Sequence, residues 1–151
     1  ARIIGFEIIV VPGATGYLDT NYEGKAAAAL EQLKEKDFVY LHVEAPDEAS
    51  HNGDSAAKIK AIEDLDSRLL KQIVEGIVIW PEYKILLLTD HPTPISLKTH
   101  SPEPVPFAMY HPGIAADQGD RFDESLLRTG SLQFEEGHLL MGYFLDGGVK
   151  K

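Results

Sequence analysis

The sequence contains no cysteine, so disulfide bonds and thiolate metal sites are excluded for these 151 residues. Basic residues are also few: 14 Lys and Arg stand against 24 Asp and Glu, and the formal net charge is -10 at pH 7. Such an acidic chain repels nucleic acid and anionic membranes. The sequence also lacks an apolar run long enough to cross a bilayer. We therefore expect a cytoplasmic protein whose partner is neither a nucleic acid nor a membrane.

The hydrophobic residues that are present make up 44% of the chain, which is sufficient for one core. They occur in short runs, separated by turn-rich and helix-favouring segments. Four runs predict strands, at residues 6–11, 38–43, 84–88 and 105–110. The remaining periodic segments predict helices at residues 21–36, 55–76, 123–128 and 136–145, the last ending at Gly147 and Gly148.

The order of these elements predicts one compact α/β unit, a three-layer sandwich with a mostly parallel sheet. Residues 84–88 are typical of a central strand buried on both faces, whereas the prolines around residues 105–110 favour an edge position. Residues 1–5 resemble the last turn of a helix that ends at Gly5. We therefore expect the chain to begin inside a domain.

Acidic and imidazole side chains lie near the ends of three predicted strands. Asp47 and His51 are in the segment after the second strand, Asp90 and His91 directly follow the third, and His100 precedes the fourth. Because open parallel sheets bind ligands at the carboxyl ends of their strands, we expect these side chains to converge. Carboxylates and imidazoles are ligands of divalent metal ions, and five of them supply most of a two-metal site for phosphoryl transfer.

Other polar residues receive different predictions. His42 lies inside a predicted strand, and we expect it to hydrogen-bond a neighbour rather than to bind metal. His111 and His138 are expected to have structural or solvent-facing roles. No serine stands in a strand-to-helix elbow beside a base, so the sequence offers no activated nucleophile.

Several motifs carry a resemblance to a known family. They are VPGATGY, DFVYLHVEAPDEASH, TDHPTP, and TH followed by PVPF, at residues 11–17, 37–51, 89–94, and 99–107. In this order they closely resemble the archaeal-type cofactor-independent phosphoglycerate mutases, which are members of the alkaline phosphatase superfamily. The resemblance spans nearly the whole chain. It implies an alkaline phosphatase-like fold, of which residues 1–151 would be the C-terminal, metal-binding part.

The resemblance also implies an activity and its cofactors. These mutases interconvert 3-phosphoglycerate and 2-phosphoglycerate through a phosphoserine intermediate in glycolysis and gluconeogenesis. They use two divalent ions, usually Mn²⁺, with Zn²⁺, Co²⁺ and Mg²⁺ as alternatives. By motif, Asp47, His51 and His100 would bind one ion, and Asp90 and His91 would bind the other. The expected partner is thus a small phosphorylated substrate.

This sequence departs from the family pattern in one respect. The nucleophilic serine and a metal-binding aspartate of the family belong to motifs that precede the matched ones, and neither motif is present here. We therefore expect both groups upstream and predict that this segment alone is inactive. A sheet edge left uncovered in such a segment favours homo-oligomers.

Two alternative functions stay open from the sequence. One is a related phosphate-transfer enzyme, such as a homoserine kinase-like member of the family, because the residues that select the substrate would lie outside this segment. The other is a binding module without catalysis that reuses the fold. The presence of all five candidate ligands favours an enzyme over the second alternative.

Overall fold

The structure, a computed structural model, describes residues 2–146 and divides into two compact units. The first unit contains the residues up to Ile79 together with Thr93–Thr99. The second contains Trp80–Pro92 and the residues from His100 onward. The sequence predicts one compact unit, whereas the structure shows two, because the chain leaves the first unit at Ile79 and rejoins it for one short segment.

The first unit is helical. A 3-10 turn at Arg2–Ile4 is followed by Gly5, whose φ of 80° is left-handed, as the predicted helix stop requires. The helices that follow are α1 (Tyr22–Gln32), α2 (Ala45–His51), α3 (Ser55–Asp64) and α4 (Lys71–Ile77), with a π-helical segment (Leu65–Leu70) between α3 and α4. The predicted helix at residues 55–76 is confirmed, since α3, the π-helical segment and α4 form one continuous helical stretch.

Helix α1 begins at Asn21, whose side chain connects the helix to the preceding turn. Asn21 Oδ1 accepts a hydrogen bond from the backbone N–H of Gly24 at 2.8 Å. This bond satisfies one of the N–H groups that a helix leaves unpaired at its start. Asn21 Nδ2 donates to the carbonyl oxygen of Pro12 at 2.9 Å. The turn-rich segment before α1 is therefore attached to the first turn of the helix.

The core of the first unit lies between α1 and the π-helical segment. Tyr22, Ala26 and Leu69 form a buried cluster. Because Tyr22 and Ala26 are four residues apart on α1, they lie on the same face, which is the face that the helix buries. The cluster is completed by partly buried side chains from neighbouring segments, namely Leu41, Val43, Leu65 and Ile73.

A charged contact at the surface joins α1 to the π-helical segment. Arg68 donates to both carboxylate oxygens of Glu23, from Nε at 2.6 Å and from Nη2 at 2.9 Å. Its guanidinium also lies 5.0 Å from the ring centroid of Tyr22. The hydrogen bond from Arg68 is the main reason that the pKa of Glu23 lies below its ordinary value.

Two predicted strands of the first unit are wrong. Residues 6–11 and 38–43 form no strand in the described part of the chain. The segments do meet, because the rings of Phe6 and Phe38 have centroids 5.8 Å apart, but their backbones form no ladder. Val10 is 85% exposed. An apolar run establishes only a side-chain preference, whereas a strand also needs a neighbour that pairs with its N–H and C=O groups.

The second unit contains two strands, β1 (Ile85–Leu88) and β2 (Phe107–Tyr110). Both lie within predicted strands, but they are antiparallel, with Leu88 opposite Phe107. This pair forms the one sheet of the described residues, so the mostly parallel sheet stays a prediction. Parallel neighbours need a crossover, which is usually an α-helix, and residues 89–106 contain no helix.

Two short helices follow β2, α5 (Leu126–Thr129) and α6 (His138–Leu145). Both overlap predicted helices, and the predicted stop at Gly147 and Gly148 lies outside the described residues. Lys84 Nζ donates to the last carbonyl oxygens of α6, at 3.1 Å to each of two residues, Phe144 and Leu145. The residue before β1 thus fixes the end of α6.

The described residues therefore contain helices and one small antiparallel sheet, and the three-layer arrangement stays a prediction. In residues 2–146, no helix combines the length and the apolar character that a membrane crossing requires.

Candidate metal-binding residues

Helix α2 of the first unit carries Asp47 and His51. The sequence placed them in the segment after a strand, with a spacing that suits one metal ion only if the turn between them is helical. The turn is helical, and His51 Nε2 lies 3.2 Å from Asp47 Oδ2. Both side chains are partly exposed, at 35% for His51 and 23% for Asp47. The two predicted ligands are therefore brought together at an accessible face of α2.

The other ring nitrogen of His51 contacts a backbone carbonyl. His51 Nδ1 lies 2.9 Å from the carbonyl oxygen of Lys98, which belongs to the same unit. A carbonyl oxygen only accepts hydrogen bonds, so Nδ1 carries the proton and donates it. This assignment makes Nε2 the nitrogen that faces Asp47. Histidines that bind metals usually hold their second N–H in this way, which fixes the ring and its tautomer.

Asp47 is held by the side chain of Thr93, which lies in the same short segment as Lys98, residues 93–99. The hydroxyl of Thr93 donates to Asp47 Oδ1, while Oδ2 is the oxygen nearest His51. Thr93 is 6% exposed, so its hydroxyl is fixed by the packing around it. Its own carbonyl oxygen accepts a hydrogen bond from Lys58 Nζ at 2.9 Å. The two oxygens of Asp47 therefore face different partners, and Oδ2 is directed toward the imidazole.

The separation of these donors fits one divalent ion. Two donors that are each about 2.1 Å from an ion lie roughly 3.0 Å apart in octahedral geometry and roughly 3.4 Å apart in tetrahedral geometry. The distance from His51 Nε2 to Asp47 Oδ2 is 3.2 Å. An ion pair has the same distance, but the Lys98 carbonyl on Nδ1 adds the outer contact that is typical of a metal-binding imidazole. The donor chemistry and geometry thus fit the implied metal.

The second unit carries the other three predicted ligands. His91 and His100 are stacked, with ring centroids 3.6 Å apart. Asp90 Oδ2 lies 3.4 Å from His91 Nε2, and Asp90 Oδ1 accepts from the backbone N–H of His91 at 3.1 Å. A backbone hydrogen bond from Ser101 N–H to the carbonyl oxygen of Pro92, at 3.1 Å, brings the two histidines together. Asp90, His91 and His100 therefore form one cluster within this unit.

Two further histidines, His42 and His138, contact neighbouring acidic side chains. His42 is hydrogen-bonded to Glu44, with Nε2 and Oε2 2.6 Å apart, and its ring stacks on Tyr40. The predicted neighbour contact is confirmed, although no strand surrounds it. His138 pairs with Glu136 at 3.4 Å.

Sequence reasoning did not identify two residues that hold the candidate ligands, Thr93 and Lys98. Thr93 lies inside the motif at residues 89–94, and its closeness in sequence to Asp90 and His91 was a signal that it belongs to the site. Lys98 contributes a backbone carbonyl, and no side-chain pattern indicates that contact. Its backbone is unusual, with a φ of 55° that non-glycine residues seldom adopt.

Comparison with known proteins adds independent findings. The chain is 52% identical, over 140 residues, to the 2,3-bisphosphoglycerate-independent phosphoglycerate mutase of Methanosarcina acetivorans. The aligned region covers 91% of this chain and 35% of that relative. It is 49% identical, over 146 residues, to 2,3-bisphosphoglycerate-independent phosphoglycerate mutase 2 of Methanothermobacter thermautotrophicus. This aligned region covers 97% of this chain and 36% of that relative. The chain thus spans about a third of the length of these relatives.

A solved structure and a family profile agree with these relatives. A protein structure from Pyrococcus horikoshii has a TM-score of 0.91 and 34% identity, covering 99% of this chain and 46% of that one. The profile described as "Metalloenzyme superfamily" matches residues 1–146. With nearly its whole length inside that profile, the chain belongs to the Metalloenzyme superfamily.

Proposed function

We propose that the protein is a cofactor-independent phosphoglycerate mutase, which interconverts 3-phosphoglycerate and 2-phosphoglycerate through a phosphoserine intermediate. Two observations support this function. Mutases of that name are 52% and 49% identical to the chain over 91% and 97% of its length. The four motifs that resemble this family also contain all five candidate ligands. The proposed substrate is a small phosphorylated acid, and the proposed setting is the cytoplasm.

The proposed cofactors are two divalent ions, with Mn²⁺ as the first choice. Membership in the Metalloenzyme superfamily implies divalent ions, whereas manganese itself follows from the resemblance to the mutases. We assign Asp47, His51 and His100 to one ion, and Asp90 and His91 to the other. When bound, such ions neutralise the charge of a phosphoryl group and activate an attacking oxygen. Positive charge from the ions would offset the acidic character of this segment, whose formal net charge is -10.

One observation carries the metal assignment furthest, namely the orientation of His51. Its Nδ1–H donates to the Lys98 carbonyl oxygen at 2.9 Å, and its Nε2 stands 3.2 Å from Asp47 Oδ2. The imidazole therefore directs Nε2, and the carboxylate Oδ2, toward one point, where a bound ion would require Nε2 in its unprotonated form. The role of these side chains is to bind the ion and to hold it at a defined position. Holding a charge in a defined position lowers the cost of reorganisation during the reaction.

The remaining catalytic and metal-binding residues are proposed to lie in other parts of the protein. The chain covers 35% of the Methanosarcina acetivorans relative. We propose that the nucleophilic serine and a further metal-binding aspartate precede this segment, and that the complete domain is a three-layer α/β sandwich with a mostly parallel sheet. The β1–β2 pair would be an antiparallel edge of that sheet, which mixed sheets commonly have. Exposed apolar side chains support a further layer: Ile8 is 47% exposed and Val10 is 85% exposed.

The test uses the full-length protein and two variants of α2. Asp47→Asn replaces the candidate ligand with a neutral amide of the same shape. Glu48→Gln removes one negative charge from the next residue and serves as the matched control. We expect mutase activity on 3-phosphoglycerate that disappears with a chelator and returns with Mn²⁺. Asp47→Asn is expected to lose metal and activity together, whereas Glu48→Gln is expected to retain both.

Other results would contradict this function. Activity that survives complete removal of metal would exclude the assigned ligands from catalysis. Phosphate transfer from ATP to homoserine, without any mutase activity, would favour the homoserine kinase-like alternative. A protein that binds no metal and turns over neither substrate would favour the binding module.

A further inference from the structure

Residues 93–99 form a short segment that packs on α2 within the first unit. The segment is internally folded, because the backbone N–H groups of Leu97 and Lys98 both donate to the carbonyl oxygen of Pro94, at 3.0 Å and 2.9 Å. Lys58 Nζ holds the start of the segment through the carbonyl oxygen of Thr93 at 2.9 Å. Both ends of this segment, at Thr93 and at Lys98, contact a candidate ligand on α2.

Thr93 contacts the first of these ligands. Its hydroxyl donates to Asp47 Oδ1, and the Thr93 side chain is buried, with 6% exposure for the residue. A hydrogen bond to a carboxylate is stronger than one between neutral groups, so it restricts the rotation of the carboxylate. Restricting Oδ1 also fixes Oδ2, which lies 3.2 Å from His51 Nε2.

Lys98 contacts the second ligand through its backbone. Its carbonyl oxygen accepts the hydrogen bond from His51 Nδ1 at 2.9 Å, and its φ is 55°. A residue with a Cβ enters the left-handed region at a cost in energy, so this conformation requires support from its surroundings. The residue in this left-handed conformation is thus the one whose carbonyl oxygen faces the imidazole.

The side chain of Lys98 shows how closely the segment approaches α2. Lys98 Nζ lies 3.5 Å from the carbonyl oxygen of Asn52, the C-cap residue that follows α2. A Cβ added to Gly53 would lie 2.4 Å from Lys98 Cε, and Gly53 itself has a φ of 72°. The left-handed backbone is the reason for a glycine at position 53, since the exposed end of the Lys98 side chain could move aside for a Cβ.

We propose, on the basis of the metal-binding function above, that Thr93 and Lys98 are positioning residues for the metal ligands Asp47 and His51. The Thr93 hydroxyl selects the carboxylate orientation, and the left-handed Lys98 backbone selects the imidazole orientation and tautomer. One segment thus aligns Oδ2 and Nε2 toward a common point before an ion arrives. Outer contacts of this kind change metal affinity by about 10- to 100-fold when they are lost.

The test measures metal affinity, so it does not depend on turnover. The full-length protein, freed of metal, is titrated with Mn²⁺ while the free ion is followed by electron paramagnetic resonance. Thr93→Val keeps the shape of the side chain and removes the hydroxyl, whereas Thr93→Ser retains the hydroxyl. We expect Thr93→Val to bind Mn²⁺ about 10- to 100-fold more weakly than wild type, and Thr93→Ser to bind it nearly as tightly.

A second pair of variants tests Lys98, whose side chain is exposed and tolerates replacement. Lys98→Val introduces a β-branched residue, for which a φ of 55° is strongly unfavourable, whereas Lys98→Gly permits it. We expect weaker Mn²⁺ binding in Lys98→Val and near-normal binding in Lys98→Gly. Nitrogen-15 spectra of labelled histidine in the zinc-loaded protein should show a protonated Nδ1 on His51 in wild type and in Lys98→Gly. This signal should be weakened in Lys98→Val.

Each outcome has a defined meaning. Equal Mn²⁺ affinity in Thr93→Val and Thr93→Ser would overturn the role of Thr93, and equal affinity in the two Lys98 variants would overturn the role of Lys98. A wild-type protein that binds no Mn²⁺ would overturn the proposed function together with this inference. Normal binding by wild type and by all four variants would overturn this inference alone. Thermal unfolding of the metal-free variants identifies any that are misfolded. If a variant at one of the two positions is misfolded, the pair of variants at the other position tests the inference.

Discussion

The hydroxyl of Tyr22 gives a sharp prediction about stability. Tyr22 is 0% exposed, and its hydroxyl has no hydrogen-bond partner among the described residues. A buried hydroxyl that is left unpaired costs about 1–3 kcal/mol, because it loses its bonds to water and gains none. Tyr22→Phe removes this oxygen and keeps the ring, which still packs in the cluster with Leu69 and under Arg68. After a small cost for the space left behind, we expect a net stabilisation of about 1 kcal/mol.

The assay is thermal unfolding of the full-length protein by calorimetry. A change of 1 kcal/mol corresponds to a shift of about 4–8 °C in the midpoint for a cooperative unit of 60–100 residues, and of about 2–4 °C for one of 150–250 residues. Tyr40→Phe is the matched control, because Tyr40 is 61% exposed and its hydroxyl has access to water. The control midpoint should be unchanged. A lower midpoint for Tyr22→Phe would refute the reasoning, since it would mean that the hydroxyl makes a stabilising bond in the folded protein.

The same substitution has a defined pH dependence. Burial, and then the negative charge of Asp64, raise the pKa of Tyr22 above its ordinary value of 10.0. Above pH 10.0 the unfolded chain therefore loses this proton before the folded protein does, and the stability of wild type falls as pH rises toward the folded pKa. Tyr22→Phe has no such proton, so its advantage should grow above that pH. A constant difference from about pH 8 to about pH 11 would contradict this linkage.

Three further predictions concern caps and charges. Asn21→Ala should destabilise the first unit by about 1 kcal/mol or more, measured by urea unfolding, because the N-cap of α1 is lost. Lys84→Met should speed amide hydrogen exchange at the end of α6, since the last carbonyls lose their donor at a cost of about 1 kcal/mol; unchanged exchange would argue against that role. Arg68 lowers the pKa of Glu23 below its ordinary 4.5, so this pair stabilises the protein fully above pH 4.5 and loses its effect as pH falls through the lower folded pKa. Glu23→Gln should therefore reduce the slope of stability against pH below 4.5, as followed by acid titration with circular dichroism.

The helices were more predictable than the sheet. A helix forms its hydrogen bonds within its own segment, so the pattern at residues 55–76 was sufficient to place α3 and α4. A strand depends on a second segment, and the apolar runs at residues 6–11 and 38–43 form no ladder in the described part of the chain. The direction of β1 and β2 likewise depends on the connection between them, which apolar content does not reveal.

The candidate ligands were predictable because their chemistry resides in side chains. Asp47 and His51 share a face of α2 as a consequence of helical spacing, and the stacked His91 and His100 occur in quoted motifs. The contact from Lys98 was not predictable, because it involves a backbone oxygen and a left-handed φ. Such a conformation is set by the surrounding packing, and the sequence Leu-Lys-Thr gives no indication of it.

The most direct test of the metal assignment is anomalous diffraction at the manganese edge, from crystals of the full-length protein grown with Mn²⁺. We predict a peak bonded to both Asp47 Oδ2 and His51 Nε2, at about 2.2 Å from each, with the Lys98 carbonyl still bonded to Nδ1. Manganese bound elsewhere, with Asp47 and His51 paired only to each other, would contradict the assignment.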